Sequence, residues 1–296
     1  MTGTIQNTVV VGVDGTEDGE RALRYALSLV EREGLDLRIV HVAHEYQMYA
    51  PMLPYLPEPQ LLQIGEAVLE DARRLAEAAG VGAGRTGSVL AHGPRTSALL
   101  SHTHDARAVV LGTRSSVLGH LVTGSTSVSI AAHADAPVHC VPRGWTTEGP
   151  AHTRIVAGLD GSAADADVLA EAFREGDARR ADVRLVHAWR PVSPYDSAIM
   201  GRTLRGDWEE SARDALLKRV EEAAAGHAGI EWDLDLRFER VPVALHEAAA
   251  EADLLVLGRH GHLLPAALLV GSNTRTLLRT ATCPVVVVPI AAHHDR

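Results

Sequence analysis

VVVGVDGT at residues 9–16 returns as IVAGLDGS at residues 155–162. Each copy is a short apolar run that stops at an acid, Asp14 or Asp160, followed by glycine and a hydroxyl residue. A run of that length bounded by turn residues reads as a buried strand with its acid at the carboxyl end. The two copies lie 146 residues apart, and the offset extends outward from them. LRIVHVA (37–43) falls on VRLVHAW (183–189), His41 on His187, and VVLG (109–112) on LVLG (255–258). Further along the offset becomes 147, setting Gly124-Ser125 on Gly271-Ser272 and APVHCVP (136–142) on CPVVVVP (283–289). Segments kept in register over most of the chain mean a duplication with one length change confined to one loop.

The join is RGWTTEGPAHT (143–153), whose glycines, proline and polar residues suit an exposed linker. Domains are therefore expected at 1–145 and 152–296. Each half reads as five strands alternating with four helices. Leu23, Ala26, Leu27 and Val30 form one apolar stripe at helical spacing. AVVLG, PVHCV, DLLVLG and PVVVV are near-continuous apolar runs, as in strands buried on both faces of a parallel sheet. WDLDLRFE (232–239) alternates and suits a more exposed strand. The expected fold is α/β: two doubly wound, Rossmann-like domains, each around a mostly parallel sheet.

Composition narrows the function. The formal net charge of −10 argues against non-specific binding to nucleic acid or to an anionic membrane. No apolar run reaches the length of a membrane span, and the N-terminus lacks the marks of a signal peptide, so a cytoplasmic protein is expected. Lys218 is the only lysine, which limits lysine chemistry. Cys140 and Cys283 are too few and too isolated for a disulfide framework, and read as buried apolar residues.

Ligands of open parallel sheets bind beyond the carboxyl ends of the strands, where the strand order reverses. Asp14 and Asp160, the segments after His41 and His187, and a glycine loop after the fourth strand of each half belong there. The second loop, GRHGHLLPAALLVGS (258–272), sets Gly258, Gly261 and Gly271 before Ser272 and Asn273 at the head of the last helix. Glycines let backbone N–H groups approach phosphate oxygens, and a helix N-terminus adds free N–H groups and a positive dipole end. Ser272 can cap that helix or donate to a phosphate. The competing reading of Asp160 is a cap for the next helix through GSAAD. The histidines His41 and His187 read as packing or hydrogen-bonding groups at strand ends. The tail pair His293-His294 suggests no site. His246-Glu247 starts like HExxH, but residue 250 is alanine and the zinc motif fails. P-loop, GxSxG and strand-borne GxGxxG patterns are absent.

The G-x2-G-x9-G-S loop, the DGS end of the first strand and the VHA of the second resemble, together and in order, the universal stress protein family. The resemblance covers nearly the whole chain twice, as in tandem-domain members. It implies five-stranded parallel sheets and ATP binding, often with a divalent metal such as Mg2+ on the phosphates. Asp160 and Ala188 would meet adenosine, with Gly158 and Leu159 nearby. Gly258, His260, Gly261, Gly271, Ser272 and Asn273 would surround ribose and phosphates. Asp14, Val42, Gly112, Gly124 and Ser125 are the first-half counterparts. Last strands of the family commonly pair across a dimer axis, so PVHCV and PVVVV would form an intramolecular pseudo-dimer, with homodimerisation left open.

The first half departs from this pattern. GTRSSVLGHLVTGS (112–125) is one residue shorter and carries Ser115 where the second glycine belongs. A side chain at that point obstructs close approach to phosphate, so ATP is expected mainly in the second half. YAPMLPYLPEPQ (49–60) reads as a stiff loop over the site mouth or a partner-binding lid; RPVSPYDSAIMGRTLRG (190–206) carries Arg202 and Arg205. With no catalytic residue and no resident metal site fixed by spacing, the expectation is a nucleotide-dependent regulator or sensor in stress response, acting through an unknown protein partner, with slow ATP hydrolysis left open. The alternatives are a nucleotide-free interaction scaffold and an adenylyl-transferring enzyme, whose HIGH-like or SGGxDS-like motif does not occur.

Overall fold

The computed structural model describes residues 7–43, 58–113, 125–149, 151–189, 205–259 and 270–290. The chain divides into two compact units, Met1–Thr147 and Glu148–Arg296, parting within the stretch read as a linker.

The first unit runs β1 (Thr8–Val13), α1 (Glu17–Glu33), β2 (Asp36–Ala43), α2 (Glu58–Ala78), β3 (Thr86–His92), α3 (Arg95–Leu100), β4 (Ala106–Gly112), α4 (Ser125–His133) and β5 (Val138–Val141). Its strands are parallel in the order β3-β2-β1-β4-β5. The second unit repeats this with β6 (Arg154–Leu159), α5 (Asp165–Arg179), β7 (Asp182–Ala188), α6 (Arg205–Ala224), β8 (Trp232–Arg237), α7 (Val241–Ala249), β9 (Leu254–Gly258), α8 (Ser272–Thr280) and β10 (Val285–Val288). Its parallel order is β8-β7-β6-β9-β10.

The apolar runs are strands: AVVLG and DLLVLG fall in β4 and β9 beside the first strand of each unit, PVHCV and PVVVV in β5 and β10 at the end of each order. Val9, Val10 and Val11 of β1, Val109 and Val110 of β4, Ile155 and Val156 of β6 and Leu254–Val256 of β9 are fully buried. Each sheet is covered on both faces, because right-handed crossovers place successive helices on opposite sides once the strand order reverses. Accordingly α1 packs beside α2 and α3 beside α4; α5 packs beside α6 and α7 beside α8. The stripe Leu23, Ala26, Leu27 and Val30 faces the core along α1. β8 is half-buried along most of its length, as its alternation suggests for an edge strand. Residues 58–60, read from sequence as loop, begin α2; residues 49–57 and 190–204 lie outside the described residues.

The reversal falls between β1 and β4 in the first unit and between β6 and β9 in the second. There the two neighbouring crossovers leave in opposite directions and a crevice opens at the carboxyl ends. No helix among the described residues is long and apolar enough to cross a membrane.

Candidate functional site

The second unit has a cleft of about 170 Å3 at this point. Gly158 and Leu159 from β6 with Asp160 just after it, Ala188 from β7, and Gly258 from β9 with Arg259 just after it line the cleft, with Asn273 and Thr274 from the first turn of α8. Apolar walls come from Val168, Val186, Val241, Leu245, Leu257 and Leu277. Parallel register produces this convergence: Leu159 pairs with His187 and Gly158 with Leu257, so the strands end level with one another. Gly271 and Ser272 sit at the head of α8 and are not among the lining residues. Ser272 does not cap that helix: Gly271 holds the cap position and no side chain closes the turn. The head of α8 thus keeps its first N–H groups without intrahelical acceptors. His260 and Gly261 lie outside the described residues.

Asp160 is exposed and its Oδ1 accepts a bond from the Ser162 N–H at 2.8 Å. It does not cap α5, contrary to the capping alternative; Ala164 occupies that position and offers no side-chain bond. The turn between them uses Gly161 at φ 83°, and its counterpart Gly15 has φ 74°, which explains the glycine after both acids. His187 is buried and its Nδ1 lies 2.9 Å from the Leu159 carbonyl; His41 stands likewise 2.9 Å from Val13 O. Both rings tie the second strand to the end of the first.

Two charged residues of the cleft were not singled out from sequence. Asp165, only 2% exposed, accepts from the Asp160 N–H at 3.0 Å and the Gly161 N–H at 2.9 Å. Burial pushes its carboxyl up to about 6, and the Asp160 charge adds to this; the two N–H groups and Arg219 act in the opposite direction. Arg259, 5% exposed, is a buried cation on the cleft wall beside Gly258. Its position between the first two loop glycines was the available signal. For Asp165 the signal was an acid five residues after Asp160 in GSAAD. The two cysteines are buried, and burial pushes each thiol up to about 12, so neither is a ready nucleophile.

The first unit differs at the matching place. Thr16 caps α1, its Oγ1 accepting from the Gly19 N–H at 3.3 Å, and its own N–H goes to Asp14 Oδ1 at 3.1 Å. A Cβ on Gly112 would run into the Asp18 carbonyl, with its carbon at 2.8 Å. The first turn of α1 therefore rests on the end of β4. In the second unit Gly258 has only the tips of Val168 and Ile290 near it, at 3.1 and 3.2 Å, and Ala164, the counterpart of Asp18, stands on the cleft wall. Val42 is half-buried at the end of β2, Ser125 begins α4, and Gly124 lies outside the described residues.

The universal stress protein family model matches residues 7–142 and again residues 152–289. The chain belongs to the universal stress protein family. A universal stress protein of Mycobacterium tuberculosis is 28% identical over 306 residues, covering 95% of both chains. One of Mycolicibacterium smegmatis is 28% identical over 287 residues, covering 95% of this chain and 96% of its own. The crystal structure of a universal stress protein from Archaeoglobus fulgidus superposes with a TM-score of 0.74 at 17% identity, covering 98% of each chain. At that identity the likeness speaks for the fold. Within this universal stress protein, the two family domains coincide with the two compact units, and the cleft belongs to the second.

Proposed function

We propose that this universal stress protein binds ATP in the cleft of its second unit, and that occupancy there regulates a partner in the cytoplasmic stress response without a catalytic step. The carrying observation is that Asp160, Ala188 and Gly258, at the carboxyl ends of three separate strands, line one cleft at the point of strand reversal. These are the positions at which the family resemblance expects adenosine and the start of the phosphates. A cleft of about 170 Å3 is smaller than the roughly 300–1,000 Å3 that encloses a whole drug-sized ligand. It suits the nucleoside end, with the phosphates running toward Asn273 and the head of α8. There the helix dipole and free N–H groups favour anions. Arg259 supplies positive charge in a chain whose net charge is −10. Magnesium would arrive on the phosphates; Asp165 has both carboxylate oxygens engaged by backbone N–H groups, which leaves Asp160 as the acid of the cleft facing solvent.

Equilibrium dialysis of the full chain with ATP and magnesium tests this. One nucleotide per chain is expected. Asp160→Ala should weaken binding roughly tenfold or more, the size of a hydrogen bond to a charged group, while Asp14→Ala leaves it unchanged. Two equal sites per chain would overturn the preference for the second unit. No binding at all would favour the scaffold alternative, and rapid turnover of ATP the enzymatic one.

A further inference from the structure

Two side chains from different helices hold residues 160–162 from opposite sides. Asp165, at the start of α5, takes the N–H groups of Asp160 and Gly161. Arg219, from α6, donates through Nη1 to the carbonyls of Gly161 and Ser162, each at 2.8 Å. The same nitrogen stands 3.5 Å from Asp165 Oδ2, closing a ring of contacts around the turn. We propose that Asp165 is a positioning residue for nucleoside recognition: with Arg219 it fixes the backbone of 160–162 so that the Asp160 carboxylate is presented to the cleft. This rests on the nucleotide reading above and adds a residue whose two carboxylate oxygens are both spent on the turn.

The arrangement belongs to one copy. The residue matching Asp165 is Gly19, and a Cβ there would stand 2.8 Å from Asp14 Oδ1. The first unit has no room for an acid at that place and settles its turn with Thr16. In the second unit, removing the Asp165 carboxylate leaves two backbone N–H groups without their acceptors; Ser162, the counterpart of Thr16, is already engaged with the Ala164 N–H at 3.2 Å and does not cap the helix.

The ionised carboxylate accepts both N–H groups with full charge assistance. Protonation makes one oxygen a hydroxyl, a poorer acceptor whose hydrogen must turn away from the N–H, and loosens that side of the turn. The charged and titratable groups around it are Asp160 on the turn, Arg219 from α6, His187 of β7 with its ring beside Gly161, Arg259 at the end of β9, and Asp167 on α5. Burial sets the changeover at about 6. Recognition should therefore weaken as the pH falls through that value.

The test uses the full chain and adenosine, a probe that stays neutral over the range. Wild-type affinity should fall roughly fivefold between about pH 7.5 and about pH 5, the size of one hydrogen bond lost. Asp165→Asn should bind weakly at both values with a flat profile. In ligand-free protein, the NMR amide signals of Asp160 and Gly161 should titrate with a midpoint near 6 in wild type and hold still in Asp165→Asn. A slope that survives in Asp165→Asn would belong to another group and overturn the proposal. Adenosine binding with a flat wild-type profile and unmoved amides would overturn the positioning role alone. Amides that titrate in a protein that binds no adenosine would overturn the nucleotide reading, and the recognition role with it. If Asp165→Asn does not fold, the wild-type profile and amide titration still decide.

Discussion

Gly112 and Gly258 hold the same place in the repeat and face different neighbours. A methyl on Gly112 meets the Asp18 backbone, which cannot yield without moving α1. A methyl on Gly258 meets side-chain tips that can shift by a few tenths of an ångström. Gly112→Ala should therefore cost about 1–3 kcal/mol, the usual range for overpacking, and Gly258→Ala clearly less. Urea denaturation of the two variants checks this, and equal losses would refute the difference in packing. Gly258→Ala should still reduce nucleotide affinity, because the added methyl narrows a cleft wall. The sequence shows both glycines in register and cannot show this contrast, since what differs is the helix lying across them.

The start of the first helix is where the two copies part. In α1 the Glu20 N–H reaches Thr16 O at 2.9 Å, a regular helical bond, and Thr16 caps the turn. In the second unit the chain first makes tighter three-residue bonds, Asp165 N–H to Ser162 O at 3.2 Å and Ala166 N–H to Ala163 O at 3.4 Å. The helix proper begins at Asp165, two residues later in the repeat than Glu17. Thr16→Ala should destabilise the first unit by about 1 kcal/mol, as loss of a side-chain cap does. Thermal unfolding monitored by circular dichroism would show it, and an unchanged midpoint would mean that the cap contributes nothing. Strands, helices and their order were legible because apolar periodicity reports burial directly. The shifted helix start was not, because GTED and GSAA both look like capping sequences. The outcome depends on Asp165, which is buried and bonded to the turn before it. Ser272 is a parallel case: a good capping residue by type sits one place inside its helix, behind Gly271.

Across the chain, the same reversal of strand order occurs in both units, so the fold alone predicts two equivalent crevices. Burial predicts how tightly each sheet is held. β1, β4, β6 and β9 are rich in fully buried valines, isoleucine and leucines, whereas β3 and β8 are half-buried edge strands. Hydrogen exchange should rank amides of the first set as the slowest and those of β3 and β8 as faster; the reverse order would contradict this account of the core. Duplication, fold class and the strand-end acids were readable from one sequence, because repeats and apolar runs survive divergence. Arg219 was not, since it lies 57 residues from Ser162 and joins the site only by folding.

The delayed start of α5 carries a consequence for reading other tandem chains. After duplication both copies inherit the same strand ends, and they differ by a half-turn of helix wound in one and not in the other. That choice is made by a residue that need not touch the ligand. In this chain a glycine five places after the strand acid goes with the helix that starts early. An acid at that fifth place goes with the delayed one, so the six residues that begin at the strand acid record which start each sibling took.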